Sequence, residues 1–394
     1  MDFETLKAAD QEYILPTYGR FDLALDHGQG ALVYDVSGKE YIDMTSGIGV
    51  LSLGQNHPAL VEAIAKQAGK LLSVSNLFYT EPAVQAARLL IENSGMEKVF
   101  FANSGAEANE GVIKTARKYA ADKYGKDRYK ILTLKNSFHG RTIATLEATG
   151  QDHFHNSFFP FTEGFEYAQA NNMDDVKAKA DEHTAAVMVE LIQGESGVRP
   201  LDEQFVKELE AFCKEKDILL IVDEVQTGIA RTGSLFCYQN YGIEPDLVSM
   251  AKGLGGGVPI GGFLTGKKTV DVLKAGDHGS TFGANPLSGA AAKTVLEIVT
   301  DPAFLKDVQE KGEYLQALLK EIDSENVLEV RGQGLMVGIQ VPEDKIKELM
   351  AEIMDKGVLV LKAGKDTIRL LPPLIITKEE LKQAADVIRE VLEK

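Results

Sequence analysis

The sequence predicts an α/β fold: a large domain with a mostly parallel sheet covered by helices, joined to a smaller α+β domain. Three observations carry this expectation. From about residue 96, short apolar segments alternate with longer segments of helical periodicity, the pattern of strands linked by crossover helices. Several of the short segments are apolar at successive positions rather than alternate ones, as strands covered on both faces must be. The chain has 394 residues, more than one small core accommodates, so it should divide into domains.

Taken in order, residues 1–50 read as a segment that packs with the small domain. Short strands are expected at 23–25, 31–35 and 40–44, with Asp35-Val36-Ser37-Gly38-Lys39 as the turn between the last two. Asn56-His57-Pro58 opens a helix, with Pro58 in its first turn and Leu60, Ile64 and Leu71 as apolar contacts. The large domain, 51–285, should hold strands at 98–102, 130–134, 185–190, 218–223, 247–250 and 260–264, with helices at 104–121 and 202–216. The small domain, 286–394, should open with one long helix reaching about 322. Strands at 328–331, 335–340 and 367–371 and helices at 344–356 and 378–392 complete it.

Composition narrows the function. Hydrophobic content of 44% and charged content of 26% are ordinary for a globular protein. A net charge of -17 disfavours an extended nucleic-acid surface but is compatible with a small anion pocket. The 37 glycines follow no repeat period and gather in short loops, where α/β proteins carry sites. Cys213 and Cys237 form neither a metal nor a disulfide pattern and read as buried thiols of a reducing compartment. Met1-Asp2-Phe3-Glu4 is acidic, unlike a secretory signal, and no apolar run is long enough for a membrane span. The expected location is the cytoplasm.

The chemistry concentrates at strand ends. Ile218 to Val222 is wholly apolar and ends in Asp223, a charge that must be paired or solvated. A protonated pyridine nitrogen would pair it, and so would a helix cap or an ion pair. Lys252 follows the apolar strand 247–250 and precedes Gly253, Gly255, Gly256 and Gly257, which leave room for a cofactor. It reads as the amine that attaches to an aldehyde cofactor and then shuttles protons, or as a surface lysine.

Phe101-Ala102-Asn103-Ser104-Gly105-Ala106-Glu107 joins a strand to a helix. Ser104 is a good N-cap, Glu107 completes a capping box, and the small residues would let a phosphate approach free N–H groups. An ordinary strand–helix junction looks similar. Phe138 could stack on a pyridine ring or belong to the core, and His139 could order the loop by hydrogen bonding. Arg141 could bind a carboxylate through two N–H groups or lie on the surface. Val225 is placed to pack on the ring face opposite Phe138, and Gln226 could reach the ring's phenolic oxygen. Ser280 and Thr281 offer adjacent hydroxyls for phosphate or carboxylate oxygens. Glu195 could be a solvated charge or could neutralise Arg369, which lies in a strand just before Leu370-Leu371-Pro372-Pro373. No metal site is expected.

Together these residues resemble the class III (ω-) aminotransferases of the fold-type I pyridoxal phosphate enzymes over nearly the whole chain. Pro16-Thr17-Tyr18-Gly19-Arg20-Phe21, Ser52-Leu53-Gly54-Gln55-Asn56-His57-Pro58 and Ser75-Asn76-Leu77-Phe78-Tyr79 strengthen the resemblance, which is closest to members that act on N2-acetyl-L-ornithine. The resemblance implies pyridoxal 5'-phosphate as cofactor, with Ser104, Gly105 and Ala106 at its phosphate and Phe138 on its ring. Asp223 would contact the ring nitrogen and Lys252 would carry the cofactor. Thr281 would reach the phosphate in a neighbouring subunit, making a homodimer with shared sites, and Ser280 would lie near the substrate. Arg141 would hold the donor's α-carboxylate and Arg369 that of 2-oxoglutarate or glutamate, with Glu195 masking Arg369 while the amine donor is bound. The chain departs from the family where Ala230-Arg231 replaces a common Gly-Arg, and in Ala106, which is Thr in some members. Relatives acting on ornithine, succinylornithine or 4-aminobutyrate share the same catalytic set. A non-catalytic protein of this fold would be expected to lack Lys252 or Asp223.

Overall fold

The computed structural model describes residues 1–394, and its centre is a seven-stranded sheet. In spatial order the strands are Lys98–Ala102, Gly261–Thr265, Leu247–Met250, Leu219–Asp223, Thr184–Val189, Lys130–Leu134 and Phe165–Ala168. Neighbours run parallel except at Gly261–Thr265, which is antiparallel to both its partners. The reversal follows from the link 251–260, which is too short for the crossover that a parallel neighbour requires. Every residue of Thr184–Val189 and of Leu219–Asp223 is buried, the reason for their unbroken apolar composition.

Helix Gly105–Tyr124 lies across this sheet against Leu247–Met250 and Gly261–Thr265. The approach is close because Gly111 has no side chain: a Cβ there would stand 2.3 Å from Phe263 Cε1. Cys213 and Cys237 are both buried and free. No helix is long and apolar enough to cross a membrane.

The C-terminal part holds an antiparallel sheet in the order Glu329–Gln333, Met336–Gln340, Thr367–Leu370, Leu361–Ala363. A second sheet joins Leu25–Gln29, Leu32–Asp35 and Glu40–Asp43 to Val358–Leu359, so strand pairing links the two ends of the chain. The turn at Asp35 forms as expected, its Oδ1 accepting from the backbone of Ser37 (2.8 Å) and Lys39 (3.0 Å).

Some elements differ from the expectation. The long helix is two, Pro286–Val299 and Pro302–Lys320. Pro302 cannot donate to a continuing helix, and Asp301 caps the new start by accepting from Ala303 N at 2.7 Å. The strand expected at 23–25 is Leu25–Gln29. Helix Pro58–Ala68 buries Leu60, but Leu71 lies beyond it and is exposed. Helices Phe3–Tyr13 and Glu81–Ser94 and edge strand Phe165–Ala168 were not anticipated.

One buried cation fastens these regions together. Ile229 and Ala230 both have positive φ, 59° and 68°, and turn Arg231 inward. Its guanidinium donates to the carbonyls of Leu335 (3.0 Å) and Pro372 and to Ser46 Oγ (3.4 Å). Burial pushes its pKa down to about 9, opposed by Asp43. Pro372 lies two residues beyond the strand Thr367–Leu370 that carries Arg369.

Candidate active site

The C-terminal ends of the parallel strands open into a cavity of about 460 Å³, the usual ligand position in such sheets. Asp223 and Lys252 both line it. Asp223 Oδ2 accepts from His139 Nδ1 and Asn109 Nδ2, both at 2.8 Å, and Oδ1 accepts from Val225 N at 3.0 Å. A carboxylate so fixed presents a directed negative charge to the cavity. His139 is the loop-ordering hydrogen bonder of its segment, and it also orients Asp223.

Lys252 lies two residues beyond the end of Leu247–Met250 and sits at φ 38°, a left-handed conformation that costs a side chain roughly 1–3 kcal/mol and clusters at functional sites. Desolvation pushes its ammonium down from 10.5 to about 8, against Glu195 and with Arg369. More of it is therefore the neutral, nucleophilic amine near neutral pH than an ordinary lysine supplies.

The cradle is the start of helix Gly105–Tyr124. Ser104 Oγ caps Glu107 N at 3.2 Å, but Glu107 does not close the expected box. Its carboxylate accepts instead from Asn103 N at 2.6 Å, one residue further back. The N–H groups of Gly105 and Ala106 donate to no protein acceptor, and both residues line the cavity. They supply free donors at the positive end of a helix dipole. Gly261 backs this turn, where a Cβ would meet Ser104 O at 2.4 Å. Gly261→Ala is expected to cost about 1–3 kcal/mol and to loosen anion binding, read as a lower thermal midpoint and a raised phosphate dissociation constant.

Phe138 and Val225 both line the same cavity. Arg141 lies at its mouth, its guanidinium over Phe138 (5.4 Å) and Phe154 (4.1 Å), where it also borders an outer vestibule of about 1350 Å³. Gly105 lets the start of the helix approach Val225 closely, since a Cβ there would stand 2.7 Å from Val225 Cγ1. Phe138 and Val225 in the lining, the free N–H groups of Gly105 and Ala106, Asp223 and an amine of lowered pKa together fit a phosphorylated pyridine aldehyde.

Glu195 and Arg369 meet as expected. Arg369 Nη1 donates to Glu195 Oε1 at 2.7 Å and Nη2 to Oε2 at 3.4 Å. Burial works to raise Glu195, but Arg369 and then Lys252 outweigh it and hold the carboxyl below its ordinary value. Arg369 is buried, and its Nε has no partner. Gln226 belongs to this pair: it donates to Glu195 Oε1 at 3.2 Å and accepts from Arg369 at 3.1 Å.

Ser280 and Thr281 stand apart from the cavity. Asn76 holds their loop by donating to Ser280 O (2.9 Å) and Gly283 O (3.1 Å), and Ser280 Oγ accepts from Asn103. Thr281 is exposed. Two polar residues of the cavity went unread in the sequence, Asn109 and Glu190. Glu190 carried a usable signal, for it ends an apolar run just as Asp223 does.

Comparison with known proteins places the chain in a family. The class-III aminotransferase family matches residues 13–392. The acetylornithine aminotransferase of Haemophilus ducreyi is 50% identical over all of this chain and 99% of its own. That of Methanocaldococcus jannaschii is 42% identical over 97% of this chain and 96% of its own. Among solved structures, the ornithine aminotransferase of Toxoplasma gondii superposes with a TM-score of 0.95 at 33% identity, covering 100% of this chain and 95% of that one. The N-acetylornithine aminotransferase of Stenotrophomonas maltophilia does so at 0.84 and 36%, covering 98% and 97%. The chain belongs to the class-III aminotransferases.

Proposed function

We propose that this aminotransferase moves the terminal amino group of N2-acetyl-L-ornithine to 2-oxoglutarate, giving N-acetyl-L-glutamate 5-semialdehyde and L-glutamate, a step of arginine biosynthesis. The observation that carries the reading is the ion pair of Glu195 with the buried Arg369, since Glu195 and Lys252 line the same outer vestibule and both members of the pair act electrostatically on Lys252. A donor that presents a terminal amine and an acceptor that presents an α-carboxylate must use the same site in turn. Arg369 paired with Glu195 suits the first, and Arg369 released suits the second.

Ser104, Gly105 and Ala106 would hold pyridoxal phosphate by its phosphate and Phe138 and Val225 by its ring, and the bound group would supply a sink for the electron pair left on the donor carbon. Asp223, fixed by His139, Asn109 and Val225 N, keeps a proton on the ring nitrogen. Lys252 Nζ would take the proton from the donor's terminal carbon and return it to the carbon on the other side of the transferred nitrogen, two atoms along. Arg141 at the mouth pairs with the donor's distant carboxylate, and Arg369 with the acceptor's near one. The cycle is two-stroke, since donor product leaves before acceptor enters.

A homodimer with shared sites completes the reading. Leu77, Phe78 and Tyr79 are exposed to 87%, 69% and 103%, and Asn76 ties them to the loop carrying Thr281. Covering these side chains with a second copy would remove an apolar patch and bring Thr281 to that copy's phosphate. The expected location is the cytoplasm.

The similarity to ornithine aminotransferase structures favours free ornithine as the second reading. The two separate on the label: with the terminal nitrogen of acetylornithine isotopically marked, the label should appear in glutamate at a kcat/KM well above that for ornithine. Equal or greater transfer from free ornithine would select the second reading.

A further inference from the structure

Glu190 lies at the cavity wall and has no part in the account above. It follows strand Thr184–Val189, and its carboxylate has two backbone partners on two different loops. Oε1 accepts from Phe138 N at 2.8 Å and Oε2 from Gly194 N at 3.3 Å. The first loop carries the ring-stacking Phe138 and Arg141. The second carries Glu195, and Gly194 O also accepts from Arg369 Nη1 at 3.3 Å. One buried carboxylate thus spans the cofactor wall and the gate. With both bonds present, the gate is shut on Arg369.

We propose that Glu190 is a positioning residue that braces the shut gate, holding Gly194–Glu195 against Arg369 until the acceptor's carboxylate competes for it. The inference rests on the reading of Arg369 as the acceptor's clamp. An ionised carboxylate can accept from both amides. A carboxylic acid gives up one acceptor to its own O–H, and an amide presents N–H to one of the two donors. Either change frees one loop from the other. The looser gate then yields Arg369 to a dicarboxylate more readily, while the amine donor, which does not need Arg369, is bound as before.

The brace should respond to pH near neutrality. Burial raises Glu190, His139 opposes it, Asp223 adds to it and the two amides oppose it, leaving it at about 7. The titratable and charged groups around it are His139, Asp223, Lys252 and the Glu195–Arg369 pair. Above that pH Glu190 is ionised and both bonds hold; below it the brace loosens.

The test is the affinity of the cofactor-loaded protein for glutarate, a dicarboxylate of the acceptor's length that cannot react, measured by calorimetry from pH 6 to 8.5. In Glu190→Gln, glutarate should bind about three- to tenfold more tightly than in the parent at pH 8, the worth of one backbone hydrogen bond. The parent should gain the same factor as pH falls through about 7, and the variant should not. Donor binding should stay within about twofold. Glutarate bound no more tightly by the variant, both ligands weakened alike, or a pH response that survives in Glu190→Gln would overturn the brace. Glu190→Asp, too short to span both amides, is expected to behave as Glu190→Gln and serves if the amide variant does not fold. The aminotransferase reading is judged separately, on the cofactor absorbance of the parent recorded in the same titrations.

Discussion

Lys252→Ala is expected to lower turnover by about 10⁴-fold or more, because it removes the group that moves the proton in both half-reactions. No neighbour can replace it. Asp223 is engaged by three donors, and Glu195 is held by Arg369. The protein should remain folded, since an alanine also relieves the lysine's burial, but not its left-handed backbone. It should still take up pyridoxal phosphate, through the cradle, Phe138, Val225 and Asp223, yet release it on dialysis. Retention of the cofactor after dialysis, or turnover within about tenfold of the parent, would remove Lys252 from its assigned place. In the parent stripped of cofactor, attack on an added aldehyde should rise with pH around a midpoint near 8, the value to which desolvation brings Lys252.

Arg369→Ala should divide the two half-reactions. The acceptor half loses a buried, two-pronged clamp on its carboxylate and is expected to slow by about 10²-fold at fixed 2-oxoglutarate, since charge-assisted hydrogen bonds are each worth roughly 1.5–3 kcal/mol. The donor half should change by no more than about threefold. Glu195 loses its main counter-charge, so its carboxyl should rise from its lowered value. Single-turnover rates measured separately with acetylornithine and with 2-oxoglutarate decide the matter. Equal losses in both halves would mean that Arg369 only supports the fold.

The sequence disclosed the strand ends that carry chemistry because a buried strand announces itself as an unbroken apolar run. A charge at the end of such a run is conspicuous, and Asp223 and Lys252 are both of this kind. The cradle was legible through Ser104 and the small residues after it. Glu190 bears the same mark but was passed over in favour of Glu195 in the next loop. Its partners, Phe138 N and Gly194 N, become visible only when the strands lie side by side. The same holds for Asn109, whose partner Asp223 is distant in sequence. Gln226 lines the cavity as its place after Asp223 suggests, but its bonds to Glu195 and Arg369 are tertiary and have no mark in the sequence. Among the elements, the break at Asp301-Pro302 was written in the chain and overrode the apolar periodicity that runs across it. Phe165–Ala168 is a short, half-buried edge strand and has too few residues to show a period. Helix Glu81–Ser94 had its signals, Pro82 in the first turn and Ala86, Leu90 and Ser94 buried four apart.

The most direct measurement of the central claim is a stopped-flow absorbance record of the purified protein. It is mixed in turn with acetylornithine, ornithine, succinylornithine and 4-aminobutyrate. A band near about 420 nm that converts rapidly to one near about 330 nm with acetylornithine, and slowly with ornithine, is the predicted result. A protein with no band near 420 nm would contradict the cofactor assignment, and faster conversion by free ornithine would contradict the proposed donor.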